Sequence, residues 1–154
     1  MEKKAFTVRL ARPEDAWEFA QLLSIFDGEM IAQSQLITRM KAIQDIEFPL
    51  LAENGGHIVG LACLRLVPTL STDYPYAEIT ELYVEKTYQG NGIERALLEK
   101  AEALASEREA LHIILHTGLK NTEAQSLYRG LEYRDYALAM RKTLMLKAIS
   151  GYRS

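Results

Sequence analysis

The sequence predicts an α/β (α+β) fold: one domain over residues 1–154 with a mixed, mostly antiparallel sheet flanked by helices. Three observations carry this. Two β-rich runs flank Asn54-Gly55-Gly56 in FPLLAENGGHIVGLACLRLV, the pattern of a hairpin. The strand-like AEITELYVEK runs straight into a glycine-rich turn and then an amphipathic helix. A short apolar run, LHIILH, precedes a second such helix, NTEAQSLYRGLEY.

The elements follow in order. Phe6 to Leu10 alternates weakly and reads as a short strand. In ARPEDAWEFAQLL, Pro13 suits the first helical position, and Glu14 and Asp15 favour the first turn. Ala16, Phe19, Ala20 and Leu23 then share one helical face. FDGEMIAQS reads as loop or irregular helix, and a second helix carries Leu36, Met40 and Ile43 before Phe48-Pro49 closes it. After the hairpin and the loop PTLSTDYP, the strand AEITELYVEK leads to a helix whose buried stripe is Ile93, Ala96, Leu97, Ala101 and Leu104. LHIILH is a strand, Asn121 caps the next helix, and YALAMRKTLML closes the chain as a strand antiparallel to its neighbour.

Composition narrows the function classes. A net charge of −3 argues against a nucleic-acid surface. The single cysteine, Cys63, excludes an internal disulfide and a cysteine-based zinc site, and a reducing cytosol is the default compartment. Cys63 lies in an apolar run and reads as a small core residue. No apolar run is long enough to cross a bilayer, and charges interrupt the N-terminus where a signal peptide would need none. His112 and His116 are four apart, about 13 Å on a strand and too far for one metal ion.

The informative stretch is YQGNGIERALLEK. A helix N-terminus after a glycine turn offers unpaired amides and partial positive charge, and glycines let the backbone approach an anion. A dinucleotide fingerprint fails because Arg95 holds the third glycine position, and no Gly-Lys-Ser/Thr follows for a Walker loop. Taken alone, the stretch also fits a plain helix start, with Asn91 as N-cap and Glu94 completing a capping box.

The wider order of motifs adds a resemblance. Gln89-Gly90-Asn91-Gly92-Ile93 resembles the acetyl-CoA loop of GNAT-type N-acetyltransferases, with ELYVEK before it as the family's fourth strand and an Ala-Leu-Leu helix after it. Asn121, Ala124 and Leu127-Tyr128 resemble the family's N-x-x-A-x-x-x-Y helix, and Val8-Arg9 with Pro13-Glu14-Asp15 resembles its opening. The likeness spans about residues 6–144 and leaves a short C-terminal tail.

The resemblance implies a splayed central strand and acetyl-CoA as co-substrate, with no metal. It places the pantetheine arm against the backbone of Leu82, Tyr83 and Val84, whose leucine and valine side chains are expected in the core. The diphosphate falls to Gln89, Gly90, Asn91, Gly92 and Ile93, beside Glu94, with Asn121 as a further cofactor contact. Transfer to a primary amine, of a small molecule or a protein or peptide, requires that amine to lose a proton, which for a lysine-like group costs about 4–5 kcal/mol at pH 7. Glu78, first by spacing, and Glu81, second, are the candidate bases. Tyr128 matches the family's tyrosine and is the candidate acid for the leaving thiolate. The resemblance admits a homodimer, while the charge and the short apolar runs argue against a nucleic-acid or membrane partner.

Asp27 and Glu29, between the first two helices, are weaker candidates for attracting a cationic amine. The loops at 28–34 and 68–75 would shape the acceptor side. Two positions depart from the pattern. Glu132 replaces the glycine of the usual Gly-Phe pair, and Glu94 replaces a small residue beside the diphosphate. Glu94 either turns outward, paired with Arg95 or Lys86, or it weakens the cofactor site. The second case describes a non-catalytic GNAT-fold sensor or partner-binding module.

Overall fold

A computed structural model describes residues 5–144. They fall into two compact units that divide between His116 and Thr117.

The first unit is built on a five-stranded sheet in the order β1-β2-β3-β4-β5: Thr7–Leu10, Glu47–Asn54, His57–Val67, Tyr76–Val84 and Ile113–Leu115. All neighbours are antiparallel except β4 and β5, which run parallel and are joined through a helical crossover, as a parallel pair requires. The β2–β3 hairpin turns on Gly55 and Gly56, both at positive φ (58° and 84°), as a two-residue primed turn demands.

Helices α1 (Ala16–Asp27) and α2 (Gln33–Ala42) cover one face. Phe19, Ala20, Leu22, Leu23 and Leu36 pack there with Leu51, Leu61 and Cys63 of the sheet. The helix α1 starts after a single 3-10 turn at Pro13–Asp15 and runs to Asp27, where Gly28 adopts the left-handed conformation and its N–H closes on the Ser24 carbonyl. It therefore takes up Phe26 and Asp27 as regular helix, the start of the stretch that the sequence pattern reads as loop or irregular helix. Arg9 of β1 ties the start of this helix to the sheet, bonding both Asp15 oxygens at 2.7 and 2.8 Å and Glu53 of β2 at 3.0 and 3.1 Å.

Helix α3 (Ile93–Glu107) covers the other face, with Ile93, Leu97, Leu98, Ala101 and Leu104 buried. Gly60 makes this close approach feasible. A Cβ there would lie 3.2 Å from methyl carbons of Ile93 and Val84 and 3.3 Å from one of Leu97, all buried. Each contact is tighter than an ordinary one, so these buried side chains would have to give by a few tenths of an ångström. Gly60→Ala is expected to destabilise the chain by about 1–2 kcal/mol in urea unfolding, and an unchanged midpoint would show that α3 shifts freely.

The second unit contains α4 (Thr122–Gly130). Asn121 caps it as expected, its side-chain oxygen accepting from the Ala124 N–H at 3.2 Å. Glu132 adopts φ 69°, the conformation a glycine takes without cost, while the Tyr133 N–H closes on the Tyr128 carbonyl at 3.0 Å. Replacement of the glycine thus leaves the helix end intact and puts mild strain in its place.

One prediction needs correction. Residues 136–144 of YALAMRKTLML form no strand among the described residues, and 145 and 146 lie outside them. Alternation supplies an amphipathic pattern, but a strand exists only where a partner edge accepts its hydrogen bonds.

Candidate active site

The site begins where β4 loses one of its neighbours. β5 pairs with β4 only at Ala77, Glu78 and Ile79, so from Thr80 to Val84 that edge of β4 carries no strand among the described residues. This is the splayed strand that the resemblance implies. The Glu85 N–H donates to the Val59 carbonyl at 2.8 Å, and Tyr83 pairs with Leu61 in the same register. Antiparallel alternation then turns the Tyr83 amide toward β3 and those of Leu82 and Val84 toward the open edge. Of the three backbone positions, two present N–H groups there. Val84 is buried on the α3 side as expected, whereas Leu82 is only half-buried.

A bulge marks the splay. Cys63 pairs with Glu81 and Leu64 with Ile79, so Thr80 is the extra residue. Its hydroxyl donates to Glu47 Oε1 at 2.7 Å. Glu47, only 8% exposed, is also held by the Arg65 guanidinium, so its buried charge is paired and hydrogen-bonded.

Glu78 and Glu81 share the α1/α2 side of the sheet but have different surroundings. Glu78 faces His116 at 3.4 Å, an ion pair whenever the histidine is protonated. Glu81 accepts from the Cys63 thiol at 3.5 Å and has no cation bonded to it among the described residues. Burial, reinforced by the charge of Asp27, pushes the Glu81 pKa above the ordinary carboxylate range. Asp27 is therefore near enough to act on Glu81, more than its place in the sequence suggested. Burial and Glu81 push the Cys63 thiol well up, which makes it a poor nucleophile and fits its reading as a core residue.

His112 and His116 take separate partners. His112 stacks on Tyr76 with ring centroids 5.6 Å apart, while His116 turns to Glu78.

The glycine loop connects the open edge to α3. The Gln89 side chain folds back, its Nε2 donating to the Val84 carbonyl at 2.9 Å, and thereby fastens the loop to the strand end. Gly90 and Gly92 both have positive φ (74° and 84°), and the space where a Cβ would stand is open at each. The N-cap of α3 is Gly92, not Asn91, and no side chain caps it. Asn91 instead donates to the carbonyls of Tyr88 and Gln89 at 3.0 and 3.1 Å. The capping box with Glu94 is therefore not formed, because the left-handed turn at Gly92 carries the asparagine side chain away from the helix. Ile93, at N1, is buried and anchors the loop. With no side chain among the described residues occupying them, the first-turn amides remain available to an anion. Arg95 reaches Glu99 at 3.8 Å and not Glu94, which is half-buried.

In the second unit, the Tyr128 ring meets Tyr133 edge-on at 6.2 Å, and Asn121 is committed to its cap. Sequence reasoning missed Thr80, His116, Arg65 and the Tyr83 side chain. Only a hint was readable for them, polar residues in strands that otherwise looked buried.

A family model for the acetyltransferase (GNAT) family matches residues 14–133. The chain belongs to this family. An IAA acetyltransferase of Azospirillum brasilense is 31% identical over 91 residues, 59% of this chain, and the match spans just over half (56%) of that relative's own length. Among solved structures, an acetyltransferase of Trypanosoma brucei superposes with a TM-score of 0.82 at 19% identity, covering 91% of this chain and all of the other. An aminoglycoside acetyltransferase from an uncultured soil metagenomic sample gives 0.79 at 22% identity, covering 92% and 99%. At these identities the two structures speak for the GNAT fold alone.

Proposed function

We propose that this GNAT acetyltransferase is an acetyl-CoA-dependent N-acetyltransferase acting on a primary amine, with the whole chain serving as one functional domain. The observation that supports this reading most is the open edge of β4. It presents the Leu82 and Val84 amides, and the same strand leads through the glycine loop to a helix N-terminus at Gly92 that no side chain among the described residues caps.

The residues present fit the cofactor. The amides of Leu82 and Val84 would hold the pantetheine arm, and the backbone of Gly90 to Ile93 would hold the diphosphate, where both glycines leave open space. Asn121 is a further contact by resemblance. When bound, acetyl-CoA supplies an acetyl thioester.

Glu81 takes the base role ahead of Glu78. Its half-buried carboxylate has no cation bonded to it among the described residues, and its raised pKa brings it closer to the working pH of a proton acceptor. Glu78, opposite His116, is the second candidate. In the transfer, the acceptor ammonium would give one proton to Glu81; as the new N–C bond forms and the C–S bond breaks, the nitrogen would shed a second proton, which balances the one the thiolate takes up. Tyr128 is assigned, on the resemblance of its helix, to return a proton to the thiolate.

A thiolate whose conjugate acid lies near 8.5 leaves fairly well unaided, so Tyr128→Phe is expected to lower turnover by about tenfold without weakening acetyl-CoA binding. Unchanged turnover would remove Tyr128 from the mechanism. The reading as a whole is tested by calorimetric titration of acetyl-CoA, followed by thiol release with a panel of amines. Micromolar binding with amine-dependent release supports it. Binding with no release for any amine would favour the sensor reading.

A further inference from the structure

An aromatic pair stands on the same sheet face as Glu81, and nothing in the mechanism uses it. Phe26, near the end of α1, and Tyr83, on β4, have ring centroids 5.2 Å apart at an interplanar angle of 33°. Tyr83 packs against the cluster of Phe19, Leu23 and Leu61, whereas Phe26 is 42% exposed. Tyr83 and Glu81 are two residues apart on one strand, so their side chains leave the sheet on one face about 6.7 Å apart. Asp27 follows Phe26 directly, and its charge acts on Glu81. Among the described residues, the Arg65 guanidinium is engaged with Glu47 and the His116 ring turns to Glu78, so neither is bonded to Glu81 or Asp27. The patch thus combines two rings with net negative charge.

We propose that Phe26 and Tyr83 form the apolar wall of the acceptor subsite, selecting a primary amine that carries an aromatic ring on a short arm. This rests on the N-acetyltransferase reading above. Charge complementarity places the ammonium toward Glu81 and Asp27. The arm then lays its ring against Phe26 and Tyr83, where tilted and edge-on ring contacts are favourable. Length agrees as well. In 2-phenylethylamine the nitrogen lies about 5 Å from the ring centre when extended, comparable with the strand spacing between Glu81 and Tyr83. A diamine of similar length would place its second charge against the rings and leave the apolar surface uncovered.

The experiment compares 2-phenylethylamine with 1,4-diaminobutane on wild type, Phe26→Ala and Tyr83→Leu. Binding is followed by calorimetry, acetyl transfer by thiol release, and folding of each variant by thermal melting. Wild type is expected to bind the ring-bearing amine at least about tenfold more tightly, and Phe26→Ala to lose most of that preference while binding the diamine as before. Tyr83→Leu, which keeps apolar bulk, loses less. Equal affinities, a preference for the diamine, no binding of either amine, or an equal loss for both in Phe26→Ala would overturn the wall. The two readings also separate. A ring preference without acetyl transfer supports the wall and defeats the enzymatic reading, whereas transfer to both amines without ring preference does the reverse.

Discussion

Glu81→Gln is expected to lower acetyl transfer by about 10²–10⁴-fold, the range a positioned base contributes, while leaving acetyl-CoA affinity nearly unchanged. The same substitution should make the protein more stable at neutral pH. In the folded chain burial and Asp27 raise the Glu81 pKa, so folding favours its protonated form. That favourable contribution is complete below the ordinary glutamate value of about 4.3. It is lost as pH rises through the window from there to the raised folded value. Glutamine carries no such titration. The two proteins should therefore melt alike near pH 4, and the variant should melt higher at pH 7–8. The acidic limb of the wild-type rate profile should likewise fall above the ordinary carboxylate range. Unchanged turnover in Glu81→Gln would pass the base role to Glu78, whose own Glu78→Gln variant would then show the loss.

Glu94→Gln is expected to tighten acetyl-CoA binding by about 5–150-fold. A carboxylate about 6 Å from a phosphate charge costs about 1–3 kcal/mol at effective dielectric constants between those of a protein surface and water. Its ion pair with Arg95 is not made, since Arg95 serves Glu99, and nothing bonds Glu94 among the described residues to neutralise it. The gain should shrink with added salt, as a screened repulsion must. Stability should move the other way. A negative charge in the first turn of α3 is favourable to the helix, and its loss costs about 0.3–1 kcal/mol. Calorimetry at low and high salt, with melting curves beside it, separates the two effects. Equal affinity in wild type and variant would mean that Glu94 points clear of the diphosphate. Measurable binding by the variant alone would turn the search toward a protein partner.

Wherever neighbouring residues supply the cause, the local structure could be read from the chain. The paired glycines Gly55 and Gly56 specify a tight hairpin, because both positions need positive φ. The stripe through Ile93, Ala96, Leu97, Ala101 and Leu104 specifies a helix with one face to bury, of which only Ala96 is half-buried, and Asn121 specifies a helix start. The order of these motifs was enough to point to the GNAT family.

The structure departs from the sequence pattern mainly where partners distant in sequence decide, the turn at Asn91 being the local exception. Whether residues 136–144 become a strand depends on an edge that alternation cannot name. Asn91 looked like a cap, but the left-handed turn at Gly92 directs its side chain to Tyr88 and Gln89. Glu78 and Glu81 are interchangeable by composition. The bulge at Thr80, the short reach of β5 and the run of α1 to Asp27 give one of them a histidine and the other a half-buried, charge-repelled setting. Hydrogen-bond register and burial arise only when strands far apart in the chain are brought side by side, so the chemistry of each carboxylate was settled by packing and not by its place in the chain.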